Sequence, residues 1–195
     1  MITLEILKTK ILWINPIRKG STAVVYFGRY EDKVYVKKAF RKDTSWPNGG
    51  TIEDAFAREV DILKTLKGLP HFPFILVADN EEMVIYMSYC GQTLAQRKDI
   101  PNDWSVQITE ISDTLKEKSI IYGDCNLNGK NVCILSDIVY LIDFGSSFIK
   151  DKHIPSTQWL EHIGVVYSKN VNYLCNALKK IFENTDNVEV DNENS

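Results

Sequence analysis

Two aspartates and an asparagine lie close together in the second half of the chain. Asp124 follows the hydrophobic pair Ile120–Ile121, Asn131 comes seven residues later, and Asp143 begins the tripeptide Asp143-Phe144-Gly145 after an apolar run. Carboxylate and amide oxygens are ligands for Mg²⁺, and a carboxylate can also orient a hydroxyl group. These residues are therefore the first candidates for chemistry.

The elements around these residues predict an α+β protein with two lobes. Residues 10–37, 74–78 and 83–89 are predicted as strands with turns, and residues 51–67 as a helix that Thr51 and Asp54 could cap. After a break near residues 88–92, helical patterns dominate, apart from short strands over 131–135 and 139–142. The prediction is a β-rich N-lobe at about 1–88, a helical C-lobe at about 92–185, whose last helix covers 171–182, and an acidic, disordered tail over 186–195.

Composition restricts the classes of function. The chain has 195 residues, 44% hydrophobic and 25% charged, with a net charge of −3, which argues against a general nucleic-acid-binding surface. The four cysteines lack paired spacing and nearby histidines, which favours reduced thiols over disulfides or a zinc site. No apolar run reaches membrane-spanning length. We therefore expect a cytoplasmic protein that does not bind membranes.

The order of elements over about residues 15–150, with the residues at their junctions, resembles the protein kinase superfamily. The matching motifs, in chain order, are Lys19–Val25, Val34–Lys37, Arg58–Leu63, Val84–Gly91, Ile120–Asp124, Asn131–Leu135 and Tyr140–Gly145. The resemblance implies one kinase-like domain over residues 1–185 that binds ATP and Mg²⁺ between its lobes.

The resemblance assigns nucleotide-binding roles in the N-lobe. Lys37 would contact the phosphates and Glu59 would hold Lys37, whereas Lys38 would face the other way because strand side chains alternate. Only one of the family's three loop glycines is present. The remaining nucleotide-binding candidates form the phosphate-covering loop, the adenine pocket and the segment between the lobes: Gly20, Ser21, Val25, Met87, Tyr89 and Cys90.

The catalytic loop departs from the family pattern. Tyr122 and Gly123 replace the usual His-Arg, which implies that activity does not depend on a phosphorylated activation loop. Asn131 lies two residues further from Asp124 than the family's metal-binding asparagine would. We favour a two-residue insertion, with Asp124 as the catalytic aspartate and Asn131 and Asp143 as metal ligands. In the alternative, ungapped register Asn126 replaces the aspartate. With the insertion, Asn128 remains a competitor of Asn131 for the metal.

The resemblance implies an ATP-dependent phosphotransferase, a minimal serine/threonine protein kinase with an unidentified protein substrate. Only 50 residues follow Gly145, so the helices and peptide-binding platform of larger kinases are reduced. The kinase subunit of the KEOPS complex and compact kinases of large DNA viruses are shortened in a similar way. Two alternatives stay open: a pseudokinase that binds nucleotide or a partner, and a small-molecule kinase. The sequence leaves the phosphoacceptor unidentified.

Overall fold

The computed structural model describes residues 2–14, 18–19, 22–42, 50–96, 99–124, 129–153 and 173–190. Within them the chain forms an α+β protein, as predicted. The glycine-loop candidates Gly20 and Ser21 lie outside the described residues, as do Asn126, Asn128 and most of the predicted loop over 43–50.

The first half of the chain contains one antiparallel sheet and two helices. The strands are β1 (Leu12–Trp13), β2 (Arg18–Lys19), β3 (Ala23–Tyr30), β4 (Lys33–Phe40), β5 (Ile75–Asp79) and β6 (Val84–Ser88). Their order is β1-β3-β4-β6-β5, and β2 also pairs with β3. The helices are α1 (Leu4–Thr9) and α2 (Ile52–Thr65).

The two helices cover opposite faces of this sheet. Leu7 of α1 packs with Val84 and Tyr86, whereas Phe56 of α2 packs edge-on against Phe40 with 5.5 Å between the ring centroids. Because side chains alternate along a strand, consecutive residues of β4 point into different environments. This alternation decides which of two neighbouring lysines reaches the candidate site.

The described residues of the second half form short strands and two longer helices. In chain order they are β7 (Gln92–Thr93), a 3₁₀ turn (Leu94–Gln96), α3 (Trp104–Glu117), β8 (Ile120–Ile121), β9 (Val132–Leu135), β10 (Ile138–Leu141), β11 (Phe148–Ile149) and α4 (Tyr173–Val190). Strands β10, β9 and β7 form one small sheet, and β11 pairs with β8. Helix α4 packs on α3, where Phe182 stacks on Trp104 with centroids 5.0 Å apart.

The structure differs from the prediction at both ends of the chain. Helix α1 was not predicted; it is only six residues long and is capped by the Thr3 side chain. Helix α4 reaches Val190, beyond Phe182 and beyond the predicted start of the tail at residue 186. Each residue added to a formed helix gains a backbone hydrogen bond, so a packed helix can continue into a polar segment.

The described cysteines Cys90, Cys133 and Cys175 form no disulfide with one another, and Cys125 lies outside the described residues. None of the helices in the described part of the chain combines the length and apolar character needed to cross a bilayer.

Candidate functional site

A buried lysine joins the two halves of the chain. Lys38 Nζ donates to both oxygens of Glu59, at 2.8 and 2.7 Å, and to Asp143 Oδ1 at 2.7 Å. The side chains of Lys38 and Glu59 are only 9% and 2% exposed, whereas that of Asp143 is 39% exposed. The triad is thus anchored in the core, and Asp143 is the member that solvent or a ligand can reach.

The lysine of this triad is Lys38, so the predicted pairing of Glu59 with Lys37 is wrong. Strand register explains the error: Lys38 lies opposite Val25 and Ile85, whereas Lys37 lies opposite Tyr26 and Tyr86 on the other face. The predicted adenine-pocket residues Val25 and Met87 lie on the same face of the sheet as Lys38. Val25 is directly opposite Lys38, and Met87 lies two residues after Ile85, the neighbour of Lys38 on β6. Lys37 could not have faced them.

Helix α2 positions Glu59 within its apolar face. The helix starts at a capping box in which Thr51 Oγ1 accepts from Asp54 N–H and the Asp54 carboxylate accepts from Thr51 N–H, both at 3.1 Å. Glu59 lies one turn after buried Phe56 and one turn before buried Leu63. A carboxylate in such a stripe needs a cationic partner, and Lys38 provides it.

Electrostatics keep the lysine of this pair ionised. Burial alone would lower the pKa of the Lys38 ammonium, but the carboxylates of Asp143 and Glu59 outweigh burial and raise that pKa. Lys38 therefore carries its positive charge throughout the physiological pH range. Burial raises the pKa of Glu59, and Lys38 opposes this increase.

Asp143 occupies a strained backbone position that aromatic packing supports. Its φ of 66° lies in the left-handed region, which costs a residue other than glycine about 1 kcal/mol or more. The next residue, Phe144, is fully buried; its ring lies 5.5 Å from that of Tyr122 and 6.2 Å from that of Phe72. This packing holds the Asp143 carboxylate towards Lys38.

Asn131 connects Asp143 to the second aspartate. Asn131 Nδ2 donates to Asp124 Oδ2 at 2.6 Å, and the Asn131 carbonyl accepts from Ile142 N–H at 2.9 Å. Asn131 Oδ1 is buried and has no hydrogen-bond partner among the residues that the structure describes. A buried amide oxygen without a partner is costly, so an electrophile such as a cation would satisfy it.

Two side chains position the backbone next to Asp124. Tyr122, which the sequence analysis aligned with a kinase histidine, donates to the Ile142 carbonyl at 2.8 Å. Burial raises the pKa of Tyr122 well above its ordinary range, and Asp143 and Asp124 add to this increase, so the hydroxyl stays protonated. Ser147 Oγ, fully buried, accepts from Gly123 N–H at 3.2 Å. Sequence analysis missed Ser147, since a serine after a glycine carries no distinctive signal.

The other nucleotide-binding candidates lie where β6 leaves the sheet. Met87 is buried in β6, the Tyr89 ring packs edge-on against Phe27 at 5.2 Å, and Cys90 is buried with its pKa raised to about 12 by burial and by Cys133. Gly91 follows with φ 92°, and a Cβ there would lie 1.9 Å from the Ile134 carbonyl oxygen. The backbone at Gly91 therefore lies too close to β9 for a residue with a side chain at this position.

A second ion-pair cluster fixes α2 to the segment after Asp143. Asp61 Oδ2 accepts from Lys152 Nζ at 2.9 Å and lies 3.2 Å from His153 Nε2. The His153 Nδ1 accepts from Ile149 N–H at 2.9 Å, so Nε2 carries the hydrogen that faces Asp61. Asp61 thus helps to hold the helix that presents Glu59.

We expect Asp61→Asn to destabilise the protein in a pH-dependent way. Burial favours a higher pKa for Asp61, but Lys152 and His153 outweigh burial and lower the pKa below its ordinary 3.8. A lowered carboxyl pKa stabilises the fold above about pH 4, and this contribution is lost as the pH falls through the folded-state pKa. Urea denaturation at pH 7 and at about pH 3 measures it. Asp113→Asn, an exposed aspartate of α3, is the control. An equal loss at both pH values would contradict the ionic role.

No family model matches this chain, and no curated protein shows significant sequence similarity to it.

Proposed function

We propose that this protein is an ATP-dependent phosphotransferase of the protein kinase type, with a β-rich N-lobe and a reduced helical C-lobe. The observation that carries the proposal is the Lys38 ammonium between Glu59 and Asp143, residues 21 and 105 positions away along the chain. Protein kinases require a strand lysine paired with a helix glutamate and a metal-binding aspartate in an Asp-Phe-Gly motif. Lys38 takes the role that sequence analysis gave to Lys37.

The charges of the triad suit a phosphate ligand. Lys38 is held in place by buried Glu59, so its ammonium needs no rearrangement of the core to meet an anion. When nucleotide binds, we expect Lys38 to exchange its Asp143 contact for phosphate oxygens and to keep Glu59. Asp143, the exposed member, would then contribute a carboxylate oxygen to a cation.

The oxygen donors fit magnesium. No group of three or more His, Cys, Asp or Glu side chains among the described residues is arranged to hold a metal ion. Mg²⁺ does not need such a group, because it is commonly bound by one or two carboxylates together with substrate phosphates and waters. Asp143 and Asn131 Oδ1, which has no partner in the described part of the chain, would hold the ion, which would neutralise charge on the transferred phosphoryl group.

Asp124 is the proposed catalytic residue. Its hydrogen bond with Asn131 supports the register with an insertion after Asp124, since the aspartate and the asparagine are then direct partners, as that alignment requires. A carboxylate at this position would orient the acceptor hydroxyl and receive its proton. We propose serine or threonine of a protein as the acceptor.

The experiment is thermal denaturation with ATP, with and without Mg²⁺, followed by transfer of labelled phosphate to the protein itself and to generic acceptors. We expect stabilisation that requires the metal, of about 2.7 kcal/mol when the ligand is at roughly 100 times its Kd, and measurable transfer. Stabilisation without transfer would favour the regulatory, pseudokinase alternative. The absence of both stabilisation and transfer would reject nucleotide chemistry.

A further inference from the structure

Lys37 lies in an aromatic row on the sheet face opposite the Lys38 triad. Tyr26, Lys37 and Tyr86 are direct cross-strand neighbours on β3, β4 and β6. The Lys37 ammonium lies 5.4 Å from the centroid of the Tyr26 ring and 6.0 Å from that of Trp13. The Trp13 ring is fixed by its own hydrogen bond, in which Nε1 donates to the Leu7 carbonyl at 3.0 Å. The lysine is therefore held on a rigid aromatic surface.

This row borders a cavity of about 280 Å³. The walls combine apolar surface with charged and polar groups, and the lining residues are Lys8, Trp13, Lys37, Glu82, Val84 and Tyr86. The volume is close to the lower limit of small-molecule sites and is too small for more than one or two peptide side chains.

Two polar groups that line this cavity make no hydrogen bond or ion pair with the described residues. Tyr86 is only 2% exposed, yet its hydroxyl makes no hydrogen bond with any part of the chain that the structure describes. Lys37 has aromatic contacts but no carboxylate partner within the same described ranges. Both side chains can donate a hydrogen bond, so the complementary ligand is an acceptor, and Lys37 favours an anion.

The other charges of the cavity leave Lys37 available. Lys8 lines the cavity and forms an ion pair with Asp79, which does not line it, and Glu82 is the acidic residue of the lining. Counted together with Lys37, these charges sum to zero, so the cavity and its surroundings carry no net charge that would attract an anion from a distance. An anion would therefore be held by direct contact with Lys37 and Tyr86 rather than by a long-range field.

We propose that this cavity is a second ligand site, distinct from the Lys38 triad, for a small organic anion with an aromatic ring. The anionic group would accept from Lys37 Nζ and the Tyr86 hydroxyl, and the ring would pack against Trp13 and Val84. The inference does not rest on the proposed phosphotransferase activity, because the two sites lie on opposite faces of the sheet.

Titration of the full chain, saturated with Mg-ATP, tests the site by amide NMR. The probes are phenylacetate and phenyl phosphate, which separate a carboxylate from a phosphate preference, with benzyl alcohol and benzylamine as uncharged and cationic controls. Ligands with about ten non-hydrogen atoms bind such sites with roughly millimolar affinity. We expect shifts at the Trp13 indole and at the amides of Lys37 and Tyr86 with an anionic probe only. Equal or stronger binding of a control, or no shift at about 10 mM probe, would overturn the proposal.

Two substitutions then assign the contacts. Lys37→Met keeps an apolar stem of similar length and should weaken binding about tenfold or more, and Tyr86→Phe should weaken it several-fold. Lys33→Met, on the exposed start of the same strand, should leave the affinity unchanged. If Lys37→Met binds the anionic probe with unchanged affinity, the proposed site is wrong. If ATP does not bind, the titration is repeated without nucleotide, so failure of the phosphotransferase proposal leaves this test intact.

Discussion

Lys38→Met is expected to abolish phosphate transfer and to destabilise the fold, whereas Lys37→Met should do neither. The two lysines are adjacent and chemically identical, but only Lys38 contacts Glu59 and Asp143. Removing a cation placed to stabilise transferring phosphate costs about 10²–10³-fold in rate. Steady-state transfer of labelled phosphate and the stabilisation by Mg-ATP measure the functional effect.

The stability effect has a separate cause. Lys38→Met leaves Glu59 buried without a partner, and breaking a buried ion pair in this way costs about 3–5 kcal/mol. Burial already raises the pKa of Glu59 above its ordinary 4.5, and loss of Lys38 would raise it further. The destabilisation should therefore be small below about pH 4.5, where both states are protonated, and should grow as the pH rises towards the folded-state pKa.

A second substitution separates the two effects. Glu59→Gln in the Lys38→Met background removes the unpaired charge, so we expect it to restore much of the stability without restoring transfer. Urea denaturation of both variants at pH 4 to 8 gives the comparison. Equal activity of Lys38→Met and Lys37→Met would show that the triad is a structural ion pair and not a phosphate site.

Asp143→Asn and Asp124→Asn should both abolish transfer, but for different reasons. Asp143→Asn removes the exposed carboxylate proposed to bind Mg²⁺, so metal-dependent stabilisation by ATP should disappear together with activity. Asp124→Asn leaves the metal ligands in place, so nucleotide binding should persist while the transfer rate falls about 10²–10⁴-fold. Thermal denaturation with Mg-ATP and single-turnover transfer distinguish the two variants.

Asp137→Asn is a matched control for Asp143→Asn. Asp137 is an exposed turn residue with φ 61°, close to the 66° of Asp143, and asparagine tolerates this backbone conformation. The activity and stability of Asp137→Asn should equal those of the unsubstituted protein. Full activity in Asp124→Asn would show that another residue, such as Asn126, occupies the position next to the acceptor.

Local patterns were sufficient for most of the secondary structure. The apolar spacing and the Thr51/Asp54 pair predicted α2, and its capping box is present. The strands β3 to β6 were predicted within a few residues, because alternating apolar side chains and turn residues are local signals. The predicted end of α4, at residue 182, lies too early in the chain. The polar residues after Phe182 give no local signal for packing on α3 or for continued backbone hydrogen bonding.

The sequence alone determined which residue types are available for chemistry: a lysine pair on a strand, a glutamate on an amphipathic helix, and Asp124, Asn131 and Asp143 in ordered motifs. Tertiary structure decided which lysine faces Glu59 and Asp143, because a one-residue change of register moves a side chain to the opposite face of a sheet. It also decided that Asn131 donates to Asp124 and keeps a buried oxygen with no partner among the described residues, since such contacts depend on loops whose paths no local pattern specifies.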